Sequence, residues 1–479
     1  MDKSLKKKKY KTLFSDTVAF TISNFASKIL VFLLIPLYTS VLSTKDYGIA
    51  DLITNTINVL YPILTLCIME ATLRFAFDKS ENKEEVLINS LIVVIASEIL
   101  LILAMPIVQI ISKQLYSYWC WFCFMYFGFN LQQVFSQYVK GIGKTKVFAI
   151  SGVIQTLIVI SINIIGLLIF KFGLYAYLLA ISFGYYFASL YMVFAAHIKI
   201  TYIRLNKDLL KRMLQFSIPT IPTIVAWWIS TSADKYIIIS YLGVAASGLY
   251  SVAYKIPSIL TMFTGLFNSA WTLSAIQNVE ETDNAQFHTN VYKYFNIINV
   301  LACSVLIMIS KYIAKILFSK DFYVAWKYVP VLLVAYVFSG LAGFLSSSFR
   351  ATKRTGKLFF STLIGAILNI ILNFYFVRKF GNMGAAITTV IGFAVTFYIR
   401  CYDVKKIIDI KIDLIKDSFI YLLLVLQSVI TINIKNTHHS ILLNIIIVCI
   451  ICIFYFDEMR NIISIVLTFV KNKIKNEKR

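Results

Sequence analysis

Long apolar runs separated by short polar stretches recur from one end of the chain to the other. A helix needs about 20 apolar residues to cross the hydrocarbon of a bilayer. Runs of that kind lie near 14–41, 47–70, 86–111, 117–138, 147–170, 174–197, 210–233, 237–270, 291–314, 327–349, 357–377, 382–401, 415–435 and 440–457. They predict an all-α membrane protein with about 14 transmembrane helices. The eighth run is too long for one simple crossing, and its span is expected near 244–268. The first run is expected to be a span and not a cleaved leader, because it is long, holds Lys28 and lacks a small-residue cleavage site. Residues 459–479 alternate apolar and basic positions and read as an interfacial helix on anionic membrane lipid.

Composition sharpens this picture. The 479 residues are 59% hydrophobic and 14% charged, against roughly 25% charged in an ordinary soluble domain. Too few charges are present to coat several soluble domains, which excludes a cytosolic enzyme, a secreted disulfide scaffold and a disordered chain. The net charge is +23, but no basic soluble domain exists to bind nucleic acid. The excess sorts with topology instead. If the segment MDKSLKKKKYK is cytoplasmic, the inner segments carry 33 Lys or Arg and the outer ones 11, with Lys28 and Lys255 inside spans. That bias obeys the positive-inside rule and puts both termini in the cytoplasm. The loop 315–327, with Lys315, Lys320 and Lys327, is a local exception.

Chemistry motifs are missing. Cys120/Cys123 and Cys449/Cys452 have metal-like spacing but sit in apolar runs, and none of His197, His288, His438 or His439 flanks them. Lipid-buried cysteines are the expected reading, with no metal and no cofactor. There is no HExxH, P-loop or nucleophile elbow, and no loop is long enough for a catalytic domain, so the chain is not expected to be an enzyme.

An internal repeat organises the spans. Lys171, Phe172, Gly173 and Gly184 match Lys379, Phe380, Gly381 and Gly392 at an offset of 208. Upstream, Gly143, Lys144, Gly152, Ile154 and Ile158 match Gly356, Lys357, Gly365, Ile367 and Ile371 at an offset of 213, and Gly48 echoes Gly248. Six spans separate the matched helices, an even number, so the repeat is parallel. The expected architecture is two six-helix bundles, 1–205 and 206–402, around a central cavity, with two further helices and the basic tail in 403–479.

Charge within a bilayer is costly and marks candidate sites. Lys28 lies midway along span one and Lys255 midway along span eight, in different bundles. If both face the cavity they attract an anion such as a lipid pyrophosphate; the alternatives are snorkelling and pairing with an acid. Glu98, midway along span three, is either an ion-pair partner or a coupling carboxyl. Asp234 and Lys235 close span seven, and Glu70 and Arg74 close span two; each pair reads as a gate latch or as an interfacial anchor. Pro36, Pro219 and Pro222 predict kinks in spans one and seven. Trp227 and Trp228, just past the second kink, suit a sugar as well as a lipid boundary. Asn24, Asn55, Asn58, Gln132, Gln133, Asn163, Asn369 and Asn373 either line the cavity or glue helices together.

Three stretches carry a family resemblance: FTISNFASKILVFLLIPLYTSVLSTKDYGIADLI, TSADKYIIISYLGVAASGLYSVAYKIP and SSSFRATKRTGKLFFSTLIGAILNIILNFYFVRKFGNMGAA. With the two-halves-plus-two architecture, the chain up to about residue 402 resembles the multidrug/oligosaccharidyl-lipid/polysaccharide (MOP) exporter superfamily, and within it the bacterial Wzx-type polysaccharide flippases. The resemblance implies a MATE-like fold in the bacterial inner membrane. It implies a flippase moving undecaprenyl-pyrophosphate-linked oligosaccharide to the outer leaflet for O-antigen, capsule or a similar polymer. Lys28 and Lys255 match the family's cavity cations by position, and Arg74 more loosely. Proton or sodium coupling and a polysaccharide polymerase partner are expectations of the same kind. The rival readings are a multidrug or cation antiporter of the superfamily, a flippase of lipid-linked peptidoglycan precursors, and a membrane-embedded polysaccharide polymerase. An antiporter of cations calls for an acidic cavity, and a polymerase for a long catalytic outer loop.

Overall fold

The computed structural model of the chain describes residues 32–199, 205–277, 284–352, 354–408, 410–434 and 436–461. Every regular element among them is helical. In chain order these are α1 (Ile35–Val41), α2 (Thr44–Leu64), α3 (Ile68–Phe77), α4 (Lys83–Leu103), α5 (Met105–Ile111), α6 (Lys113–Ser117), α7 (Trp119–Gly141), α8 (Thr145–Asn163), α9 (Leu174–Ala195) and α10 (Lys207–Ser217). They continue as α11 (Ile221–Leu242), α12 (Val244–Ala253), α13 (Pro257–Gln277), α14 (Asn284–Leu317), α15 (Val329–Ala351), α16 (Thr355–Phe380), α17 (Asn382–Val404), α18 (Leu414–Asn433) and α19 (Thr437–Phe454).

Each expected span from the second onward coincides with one helix or a broken pair. Among the described residues, 8 helices are long and apolar enough to cross a membrane, or 9 if the bent pair α2 and α3 is one span. The chain is a multi-pass membrane protein. Most of the first expected span, with Lys28 and Asn24, lies outside the described residues, as does the basic tail.

The described residues fall into two compact units, one of residues up to Ser232 with Val244–Gly248, the other of Ala233–Gly243 with residues from Leu249 onward. In the first, Ile68, Val86, Leu87, Val94, Val134 and Met213 form a buried core. In the second, α15 is the most enclosed helix, with Leu332, Leu333, Ala335, Val337, Leu341, Phe344 and Phe349 all inaccessible.

The backbone repeats itself where the sequence does. Gly173 (φ 56°, ψ −130°) opens α9, and Gly381 (φ 61°, ψ −144°) opens α17. Both occupy a positive-φ region that a Cβ disfavours. Upstream, Lys144 (φ −90°, ψ 51°) and Arg354 (φ −96°, ψ 49°) precede α8 and α16 in the same conformation. That pairing has an offset of 210, so the 213 register read from the glycines is three residues out. The two extra residues of the first copy are taken up where α8 widens into a π-helix over Ile164–Ile169, a turn that accommodates insertions.

Gly48 and Gly248, the weakest echo in the sequence, are in contact within the first unit. A Cβ on Gly48 would stand 2.1 Å from the Val244 carbonyl oxygen, and one on Gly248 2.1 Å from that of Thr44. The contact is symmetric at an offset of 200, a crossing of small residues that lets two helix backbones touch. Gly48→Ala and Gly248→Ala should each destabilise the purified protein by roughly 1–3 kcal/mol through overpacking. At Gly152 a Cβ meets nothing within 4 Å, so Gly152→Ala should be neutral or stabilising by about 0.5–1 kcal/mol. Thermal unfolding in detergent checks this, and equal melting shifts for all three would refute the close crossing.

Candidate functional site

Spans two, seven and eight are broken, with Lys255 in one break and Trp227 and Trp228 just past another. Span two bends by 61° between α2 and α3. Leu66 (φ 52°) and Cys67 (φ 54°) there adopt left-handed backbone without being glycine, a costly state. The Ser217 hydroxyl donates to the freed Leu66 carbonyl at 2.7 Å. Span seven breaks at the same place, where Ile218–Thr220 forms a 3-10 turn between α10 and α11. The prolines of span seven announced its kink. The break in span two was missed, although Pro62 lies just ahead of it.

Past these breaks the Trp228 indole N–H donates to the Asn55 carbonyl at 3.0 Å, so Trp228 ties span seven to span two. Trp227 is 64% exposed and remains available as an aromatic face. Asn55 bonds to the Asp51 carboxylate at 2.8 Å, and Asn58 is half-buried one turn on. Asn163 and Asn373 each donate to the carbonyl four residues back in their own helix. They occupy equivalent positions of the repeat, and neither glues two helices through that bond.

Span eight breaks at Tyr254–Lys255–Ile256, between α12 and α13. Lys255 sits in the break, half-buried, and its carbonyl accepts from the Ser258 hydroxyl at 2.6 Å. No carboxylate pairs with its ammonium among the described residues. The 21 residues of α13 begin at Pro257, so their positive dipole end adds to the Lys255 charge.

Asp234 is deeper in its helix than the sequence suggested, since α11 runs on to Leu242. Its side chain is buried and accepts from the Tyr254 hydroxyl at 2.9 Å, the Thr389 hydroxyl at 3.4 Å and the Lys235 backbone N–H at 2.9 Å. Lys235 lies 5.7 Å from the centre of the Tyr254 ring. The Glu70–Arg74 pairing is replaced: Arg74 reaches Asp78 at 3.8 Å. Asp78 is held below the usual carboxylate range chiefly by the Ser80 backbone N–H, with its hydroxyl and Arg74 helping. Glu70 is exposed. Glu98 is half-buried five residues before the end of α4, with Oε2 enclosed and unbonded among the described residues.

Arg400, near the end of span twelve, is not among the residues that the sequence singled out. It is 7% exposed and is solvated entirely by neutral oxygens: Ser361 Oγ at 3.0 Å, the Ala342 carbonyl at 2.6 Å, Ser346 Oγ at 2.7 Å and Thr362 Oγ1 at 2.7 Å. One guanidinium thus pins α15, α16 and α17 together. Its signal in the sequence was the serine and threonine content of the facing helices, in SSSFR and FFSTL. Arg400→Met should cost roughly 3 kcal/mol, because four acceptors lose their donor. Arg400→Lys, with a single point of attachment, should recover only part of it. Melting temperature and yield of monodisperse protein check this; wild-type behaviour of Arg400→Met would mean that the network carries no stability.

Residues 13–272 match the Polysacc_synt family, described as polysaccharide biosynthesis protein. The chain is similar to a probable low-salt glycan biosynthesis flippase, Agl15, of Haloferax volcanii (strain DS2), at 23% identity over 181 residues, 37% of this chain and 38% of that protein. The match therefore spans well under half of that relative's length. Among solved structures, the lipid II flippase MurJ in an inward closed conformation superposes with a TM-score of 0.72 at 17% identity, over 92% of this chain and all of that one. An inward-facing multidrug resistance MATE family transporter of the MOP superfamily gives 0.68 at 16% identity, over 82% of this chain and 95% of that one. Those likenesses establish the fold, which is MATE-like. The family match covers more than half of the 479 residues, and the chain belongs to the family of polysaccharide biosynthesis proteins.

Proposed function

We propose that the chain is a flippase that carries an undecaprenyl-pyrophosphate-linked oligosaccharide across the bacterial inner membrane by alternating access. The family, the flippase relative and the MurJ-like fold support lipid-linked glycan as the substrate class. One observation carries the reading to this chain: Lys255, with no carboxylate partner among the described residues, sits in a broken span beside the positive end of a long helix. Broken helices with their N-termini turned to anionic groups are how transporters hold such cargo near mid-membrane. A pyrophosphate needs attraction without capture. Lysine, a point charge, releases it more readily than a bidentate arginine clamp.

The rest of the scheme follows from that site. The bundles 1–205 and 206–402 rock about the midplane, with both termini cytoplasmic, and 403–479 packs outside them. Lys28 supplies a second cation and Arg74 a third at the inner mouth. Asn24, Asn58, Trp227 and Trp228 meet the sugar, Trp227 by its open face. Asp234, with Lys235 beside it, and Glu98 are the coupling carboxyls for a proton or sodium gradient, while Glu70 orients the inner end of span two.

In a strain lacking the gene, the leaflet position of undecaprenyl-pyrophosphate oligosaccharide and the amount of surface polymer test the proposal. Intermediates stranded on the inner face, rescued by wild type, are expected. Lys255→Ala and Lys28→Ala should be made at normal levels and transport at least tenfold less. Normal transport by Lys255→Ala and by Lys28→Glu would overturn the cationic site. Complete units waiting unpolymerised on the outer face would point to a polymerase, and unchanged polymer with altered drug sensitivity to an antiporter.

A further inference from the structure

The chemistry left unused lies at the foot of α18. A cavity of about 430 Å³ is lined by Lys293, Lys405, Ile410, Lys411, Ile412 and Asp413, within the range of small-ligand sites. A smaller one of about 60 Å³ shares Lys293, Lys411 and Asp413 and adds Tyr292, Asn296, Lys416, Asp417, Tyr455 and Glu458. The two cavities adjoin through these shared residues.

The site is constructed, not accidental. In the stretch 410–413, Ile410 and Ile412 are buried and Lys411 and Asp413 exposed. The Lys411 backbone N–H donates to Thr289 Oγ1 at 3.0 Å, which seats the stretch on α14. Thr289 and Lys293 are four residues apart on that helix and share a face, so the same bond brings Lys411 toward Lys293. Lys405 is tied down from the other side, its ammonium donating to the Ile412 carbonyl at 3.2 Å. Among the described residues the acids nearby each accept from other donors, Asp413 included, which also lines both cavities. Asp413 caps α18 by accepting from the Lys416 N–H at 3.1 Å. Glu458 pairs with Lys416 at 2.8 Å. Asp417 accepts from Tyr292, Asn296 and Tyr455 at 3.2, 2.9 and 3.2 Å. Lys293 and Lys411 are left with no carboxylate partner among the described residues.

We infer that the pocket of Lys293, Lys405 and Lys411 binds the phosphate head group of an anionic lipid. A basic recess between helix ends of a membrane protein has that chemistry, and the ammonium groups meet an anion whose chain continues into the bilayer alongside α14 and α18. The head group belongs either to bulk anionic phospholipid or to a polyprenyl phosphate. Binding is read without transport, so this inference stands or falls separately from the flippase.

The full chain is exchanged from detergent into nanodiscs of phosphatidylcholine with phosphatidylglycerol or undecaprenyl phosphate, and retained lipid is counted by native mass spectrometry. Lys293→Gln/Lys411→Gln should retain at least fivefold less anionic lipid than wild type, and Lys411→Gln alone an intermediate amount. Lys293→Arg/Lys411→Arg should match wild type. Lys79→Gln, at an exposed site elsewhere, should change nothing. Lysine-dependent retention of both lipids supports a bulk-lipid site, and of undecaprenyl phosphate alone a substrate-lipid site. Equal retention by wild type and the double Gln variant overturns the pocket. Thermal protection by inorganic pyrophosphate with no lipid retained overturns the assignment to a lipid.

Discussion

Hydrocarbon offers no water, so each backbone N–H and C=O within it must find a partner inside the protein. This constraint explains why the regular elements are helices and where departures from helix occur. A break frees carbonyls, and in spans two, seven and eight a side chain takes one up. Ser217 covers Leu66 in span two, Thr220 covers Ser217 in span seven at 2.6 Å, and Ser258 covers Lys255 in span eight. These breaks are thus maintained features. They supply what an unbroken helix cannot: helix ends within the span, with their partial charges.

The same constraint decides how buried charge is carried. Arg400 is surrounded by acceptors and no acid, while Asp234 and Asp417 are surrounded by hydroxyl, amide and backbone donors. Oriented dipoles replace a counter-ion at Arg400, and at Asp234 and Asp417 they act beside the neighbouring cations Lys235 and Lys416. A buried ion pair loses heavily when its partners separate, because each is left as an uncompensated charge. Charges solvated by dipoles of their own unit avoid that loss. For a protein proposed to rock between two states, this arrangement keeps the energies of the states close.

Hydrophobic run length made most of the fold legible, since few other structures satisfy twenty apolar residues. The repeat was legible too, because Gly173 and Gly381 are fixed by their backbone conformation. Gly356 has no such demand, and pairing it with Gly143 (φ 79°) gave a register three residues from the one the backbone adopts. What could not be read were pairings that depend on rotation about the helix axis. Arg74 meets Asp78 and not Glu70, and Asn163 and Asn373 bond within their own helices. The burial of Arg400 was hidden for a related reason. A charge at the end of an apolar run looks interfacial until the serines and threonines that solvate it are brought alongside.

The cations, considered together, separate into two kinds. Arg400 has its hydrogen bonds filled and holds helices together, which suits a guanidinium with a fixed fork of donors. Among the described residues Lys255, Lys293 and Lys411 pair with no carboxylate, and each is a flexible ammonium. A protein whose proposed cargo is an anionic lipid gains from keeping such groups unpaired. Pairing them would lower the energy of the empty protein and weaken its attraction for phosphate by the same amount. On this argument the proposed sites at Lys255 and at the α18 pocket share one design, a cation left to a partner that carries its own negative charge and leaves again.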